Sequence, residues 1–280
     1  MLLHTLTIVG VGLIGGSLGR AAKKRGLAKR VVGVGRDPQR IKEAIRFGAI
    51  DEGESDLAKA ASETDLMIFC TPVDRIAEQV LLAMPNCKPG AILSDAGSVK
   101  EPIVSAVEAA LTGNLPFVGG HPLAGSEKKG VENADADLFV DRLVILTRTD
   151  RTLPMAIEIL RTFWQALGSR VHEMGPSDHD RVLAMTSHLP HLVASVLAGV
   201  LDDRWQAFVA TGFRDTTRIA AGDPEVWTPI FEQNRAAVLE SLTLFEQRLS
   251  LFREALSRNQ TSQVDSLLLQ GKKVRDALGS

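Results

Sequence analysis

The chain has 280 residues, of which 45% are hydrophobic and 24% charged, and its formal net charge is −2. That length holds two domains or one large one, and that balance excludes a disordered chain. A near-neutral charge without a long basic run argues against nucleic-acid binding as the main activity.

Cys70 and Cys87 are far apart and form no CxxC pair. Cys70 ends an apolar run and reads as a buried thiol, which fits a reducing cytoplasm. No charged region with a cleavage site precedes the first strand, so no signal peptide is expected. No apolar run reads as long enough to span a bilayer, so no membrane association is expected.

Residues 6–9 form a short β-branched run. They lead into GVGLIG from Gly10 to Gly15, and then into a helix over 18–25. A strand, a GxGxxG turn and a helix are the context a dinucleotide fingerprint requires. Gly10 makes the turn, Gly12 admits the pyrophosphate, and Gly15 lets helix pack on strand. Leu13 and Ile14 lie in the same loop, where the phosphates meet free N–H groups. A second strand, 31–34, ends at Gly35, Arg36 and Asp37. Arg36 stands where a 2′-phosphate can be paired, which points to NADP. Asp37, one residue on, would instead accept from a ribose hydroxyl and suit NAD.

The alternation continues with a helix over 39–47, a strand over 66–70, a helix over 75–83 and a strand over 91–94. A helix follows over 99–111, then a strand over 143–147, a helix over 154–167 and a strand over 170–174. This pattern predicts an α/β fold with a doubly wound, Rossmann-type parallel sheet. In such a sheet Thr71, Pro72, Asp95, Gly97 and Ser98 line one rim with the glycine loop and are candidates for cofactor contact.

Residues 119–130 read GGHPLAGSEKKG, after a strand-like run over 115–118. His121 is thereby expected where a strand ends on that rim. An ordinary turn with a solvated histidine has the same composition. Ser98 could hold one nitrogen of His121 and leave the other free to take a proton, or it could cap the following helix.

From Pro176 onward no strand pattern survives, which predicts an all-helical C-terminal domain over 176–280 after a dinucleotide-binding domain over 1–175. A helix over 177–201, with Ser177 as its cap, carries His188 and His191 three apart on one face, with Pro190 kinking it. Two hydrogen-bonded core histidines would look the same. No HExxH or cysteine set supports a metal, and none is expected. Arg214 and Arg218 are four apart and suit a carboxylate substrate, or equally a surface ion-pair face with Asp215. Over 229–256, Phe231, Val238, Leu242, Phe245, Leu249, Phe252 and Leu256 make a helical seam that wants a partner. A homodimer through these helices is expected. A shorter helix over 261–278 closes the chain.

These stretches together resemble the prephenate/arogenate dehydrogenase family of tyrosine biosynthesis. The resemblance runs nearly the whole chain. It rests on GVGLIGGS at 10–17, DAGSVK at 95–100, HPLAGSE at 121–127, SHLPH at 187–191 and GFRDTTRIA at 212–220. Ala96 and Lys129 depart from residues frequent in the family.

The resemblance implies oxidative decarboxylation of a cyclohexadienol dicarboxylate, prephenate or arogenate, with NADP or NAD. It implies His121 as the base and Ser98 as its orienter. Arg218 then matches the arginine on the ring carboxylate, and His188 and His191 match pocket histidines. Glu127, Asp180 and Asp215 match acidic residues that form ion pairs around the pocket. Arg214 and Trp227 complete the expected substrate-binding set. The rivals are another two-domain dehydrogenase, of the β-hydroxyacid or imine-reducing kind, and a non-catalytic NADP sensor.

Overall fold

The computed structural model describes residues 2–113, 116–125 and 128–279. The chain divides into two compact units, Met1–Asn234 and Arg235–Ser280.

In the first unit the elements run β1 (Leu3–Val9), α1 (Leu13–Lys24), β2 (Ala28–Val34), α2 (Pro38–Arg46), β3 (Glu52–Glu54), α3 (Leu57–Glu63), β4 (Leu66–Phe69) and α4 (Val73–Ala83). They continue with β5 (Ile92–Asp95), α5 (Glu101–Ala110), β6 (Phe117–Pro122), β7 (Leu143–Thr147), α6 (Pro154–Ala166) and β8 (Arg170–Met174). One sheet has the order β3-β2-β1-β4-β5-β6-β7-β8, the dinucleotide-binding order extended by two strands. In β4 Leu66 and Ile68 face one core and Met67 and Phe69 the other, and all four are fully buried. A strand with both faces covered reads as an unbroken apolar run. One core includes Leu18, Leu160, Phe163 and Trp164; the other holds Ile76, Val80, Ile103 and Val107.

The sheet departs from the expected all-parallel form at β6. Phe117 and Val118 pair in parallel with β5, but Gly119 to Pro122 run beyond β5 and pair antiparallel with β7. His121 thus lies within a strand, opposite Ile145, rather than in the loop after one. Strand β3 and helix α3 escaped the sequence reading. Glu-Gly-Glu has no strand pattern of its own and is held by pairing with β2.

After β8 come α7 (Pro176–Leu183), a π-helical turn (Ala184–His188) and α8 (Leu189–Gly199). These form one continuous helix. Pro176, not Ser177, opens it, with Gly175 at the cap position. The disturbance expected from Pro190 takes the form of the π turn just before it. Proline has no N–H, and its ring crowds the carbonyl four residues back, which belongs to Thr186 inside that turn. By length and composition alone Pro176–Gly199 meets the requirement for a membrane span, contrary to the sequence reading. The mean hydropathy is high although His188 and His191 interrupt the apolar run. Both histidines are buried, a pattern that a core helix also produces.

Next come α9 (Thr211–Thr217), a 3-10 turn (Arg218–Ala221) and α10 (Pro224–Gln233). The single helix expected over 229–256 breaks at Asn234, whose φ of −103° and ψ of 27° leave the helical range. Its side chain is bonded to the carbonyl of Asp180. The second unit is a hairpin of α11 (Arg235–Ser257) and α12 (Thr261–Ala277), joined in part by Arg248 donating to Gln270.

Candidate functional site

The glycine turn leads directly into α1. Gly10 has φ +90°, which only glycine adopts freely. A Cβ on Gly15 would stand 2.2 Å from the carbonyl oxygen of Gly10, so helix and turn meet at a distance no side chain permits. Gly12 is the N-cap residue of α1, and no side chain caps that helix end. A Cβ on Gly12 would meet no protein atom within 4 Å, so a side chain there would fill the space in front of free N–H groups. This cradle fits the pyrophosphate of a dinucleotide. Leu13 and Ile14 are half-buried behind it, and Thr71 and Pro72 begin the loop into α4. Arg36 is exposed after β2, while Asp37 caps α2 by accepting from the Gln39 N–H at 2.9 Å.

Asp95 and Gly97 lie on the expected rim, but the Asp95 carboxylate points into the protein. It is fully buried and accepts from the N–H groups of Gly97 and Gly120 and from Lys100 Nζ. Its visible role is to hold β5 and β6 together beside His121. Burial pulls the Lys100 ammonium below the ordinary lysine value, and Asp95 opposes that pull.

His121 is buried, and its partner is not Ser98. Its Nδ1 lies 2.9 Å from His179 Nε2, and His179 Nδ1 lies 2.7 Å from Asp180 Oδ1. Asp180 also accepts from the N–H groups of Lys100 and Glu101, at 2.8 and 2.9 Å. The cap of α5 therefore comes from Asp180, about eighty residues away in sequence, and Ser98 is not needed for it.

The proton positions follow from this chain. A carboxylate only accepts, so His179 donates from Nδ1. A neutral His179 then accepts at Nε2, so His121 donates from Nδ1. A neutral His121 keeps a lone pair at Nε2, which has no partner among the described residues. Burial holds His121 well below the ordinary imidazole value, and His179, Lys100 and His188 add to the effect. Burial lowers His179 too, against the pull of Asp180. At neutral pH His121 is therefore uncharged, with its Nε2 unpartnered among the described residues.

His188 and His191 are buried on the π-disturbed helix. His191 stacks on Trp227, with centroids 3.6 Å apart and planes 9° apart, and His188 meets Trp227 edge-on at 6.1 Å. His188 Nε2 and His191 Nδ1 are enclosed and without hydrogen-bond partners among the described residues. Arg218 is exposed on its 3-10 turn, which packs against α8; Arg214 and Asp215 are exposed on α9. No ion pair joins Asp215 to either arginine among the described residues, and Asp180 pairs with His179 rather than with a pocket cation. Lys129 pairs with Asp223, the cap of α10, and so ties the loop after His121 to the helix carrying Trp227. Glu127 lies outside the described residues. Among the described residues no group of His, Cys, Asp and Glu is placed to hold a metal.

The sequence reading missed His179, Lys100 and Asn234. His179 had no spacing signal: it precedes Asp180 directly and meets His121 only through the tertiary fold.

The geometry agrees with comparisons to known proteins. Residues 18–173 match the model of the prephenate dehydrogenase nucleotide-binding domain, and residues 175–270 match that of its dimerization domain. The prephenate dehydrogenase of Bacillus subtilis is 31% identical over 98% of this chain and 76% of that one. Among solved structures, prephenate dehydrogenase from A. aeolicus in complex with hydroxyphenyl propionate and NAD+ superposes with a TM-score of 0.91, at 32% identity, over 99% of each chain. Synechocystis arogenate dehydrogenase gives 0.83 at 32% identity, over 98% of this chain and 99% of that one.

Proposed function

This chain belongs to the prephenate dehydrogenase family, and from that premise we propose that it oxidatively decarboxylates prephenate or arogenate with His121 as the base. It is an oxidoreductase with a nicotinamide-binding domain. The observation that carries the proposal for His121 is the Asp180–His179–His121 chain, which leaves a bare Nε2 on a neutral imidazole.

In this mechanism the substrate's ring hydroxyl gives its proton to His121 Nε2. A bound nicotinamide supplies the acceptor for the hydride from the same carbon. The bond to the ring carboxylate breaks as CO2 leaves, and its electron pair completes the aromatic ring. His121 becomes cationic, and its charge is shared through Nδ1–H to His179 and on to the Asp180 carboxylate. Arg218 holds the ring carboxylate, with Arg214 and Asp215 around the pocket. His188, His191 and Trp227 line it. Ser98, freed from capping, would be available to substrate or cofactor at the rim. Gly10, Gly12, Leu13, Ile14, Gly15, Thr71, Pro72 and Gly97 would hold the cofactor. Asp95 and Asp180 act from behind the site.

We further propose NADP as the preferred cofactor: Asp37 is committed to capping α2, and exposed Arg36 is free for a 2′-phosphate. Function divides at 175/176, close to the boundary between the two matched models. A homodimer forms through the C-terminal helices. Supporting it are exposed Leu244, Leu249 and Leu256 on α11 and the match to a dimerization domain. The free thiols Cys70 and Cys87 suit the cytoplasm.

The deciding experiment follows absorbance at 340 nm with each substrate and each cofactor. Turnover of at least one substrate is expected, with NADP giving the higher kcat/KM. Cofactor binding without turnover would overturn the enzyme reading, and equal or better use of NAD would overturn the cofactor preference. Arg218→Gln is expected to raise KM for the substrate about tenfold or more with a smaller change in kcat, as loss of a charged hydrogen-bond donor does. An unchanged KM would mean the carboxylate is held elsewhere.

A further inference from the structure

Asp180 acts through both its side chain and its backbone. Its carboxylate sets the proton positions of His179 and His121. Its carbonyl oxygen accepts from Asn234 Nδ2 at 2.8 Å. A carbonyl cannot donate, so the group facing it is the amide nitrogen and not the amide oxygen. The same Nδ2 lies 3.1 Å from His188 Nδ1, and an amide nitrogen donates but does not accept. His188 Nδ1 is therefore the acceptor, and the ring proton sits on Nε2. Burial pushes the His188 pKa to about 4, so the ring carries one proton and not two.

We infer that Asn234 is a positioning residue that holds His188 as its Nε2–H tautomer, so that this buried N–H serves as a hydrogen-bond donor to an anionic oxygen of the substrate. His188 Nε2 is enclosed, has no hydrogen-bond partner among the described residues, and lies on a ring packed edge-on to Trp227. A buried donor without a partner is costly unless a ligand meets it, and an anionic oxygen meets it best. Asp180 thereby sets opposite roles for two histidines: His121 presents a lone pair and His188 presents a proton. The helical run breaks between α10 and α11 at Asn234, the residue whose side chain makes these bonds. The choice of ligand rests on the reaction proposed above; the tautomer does not.

The test is a ring 15N–1H correlation spectrum of the intact enzyme labelled with 15N-histidine, with His188 assigned by the loss of its signals in His188→Gln. The wild type is expected to show the His188 proton on Nε2 and a bare Nδ1. In Asn234→Asp the carboxylate accepts from the ring, so the proton is expected to move to Nδ1. KM for the substrate is then expected to rise about tenfold while kcat changes less than about threefold, the pattern of one lost binding contact. A wild-type His188 protonated on Nδ1 would overturn the inference, as would an unmoved proton in Asn234→Asp. If that variant does not fold, the wild-type spectrum decides alone. The spectrum is read without substrate. An enzyme inactive on both substrates but carrying the Nε2–H signal would support the tautomer assignment while overturning the proposed reaction.

Discussion

His121→Asn is expected to lower kcat by about two to four orders of magnitude, the usual cost of losing a general base. The asparagine amide can still donate to His179, so the relay behind it is kept and folding is spared. Affinity for the cofactor, measured by titration without substrate, should hardly change, because the glycine turn is untouched. Near-normal turnover would remove His121 from the mechanism. The pH profile adds a second check. The base works unprotonated, so the rate rises with pH through its pKa. Burial, with His179, Lys100 and His188 nearby, puts that pKa below 6.5. The acid limb of wild-type kcat/KM, which reports the free enzyme, should therefore lie below pH 6.5 and disappear in the variant. A limb at or above pH 6.5 would assign the base to another group.

Lys100→Met is expected to be the most destabilising single change at the site. Lys100 and Asp95 are both fully buried and paired with each other. Removing the ammonium strands a carboxylate inside the protein, and breaking a buried pair in this way costs about 3–5 kcal/mol. That is a large share of a typical domain's stability, which is about 5–15 kcal/mol. Urea unfolding would show a lower midpoint with an unchanged slope. Adding Asp95→Asn should restore much of the loss, since no charge is then left buried. A single variant within about 1 kcal/mol of wild type would mean that water or another group compensates Asp95.

Local patterns carried far in this chain. The turn at Gly10 to Gly15 was legible because its residues are neighbours and their conformational demands are local. Strands β7 and β8 were read to the residue, because each is a short run bounded by turn residues. The edge strand Glu52–Glu54 was not legible, since its order comes from pairing with β2. The break at Asn234 was not legible either, because an asparagine in an amphipathic run gives no sign that its amide is committed elsewhere.

The candidate site divides in the same way. His121, His188 and His191 were singled out because histidine beside glycine and proline, or at helical spacing, is visible in one dimension. Which of their nitrogens are bare is a property of contacts between residues far apart in sequence. His179 reaches His121 across 58 positions, Asp180 caps α5 across about eighty, and Asn234 reaches His188 across 46. The sequence by itself determined the strand–turn–helix cradle, the alternation that builds the sheet and the residue types available for chemistry. Only the tertiary structure decided that Asp180 rather than Ser98 caps α5, that Asp95 and Asp180 face inward, and that His121 offers a lone pair where His188 offers a proton. The reason is physical: backbone conformation is set by neighbours a few residues away, whereas a buried proton is placed by whichever acceptor the fold brings within hydrogen-bond distance.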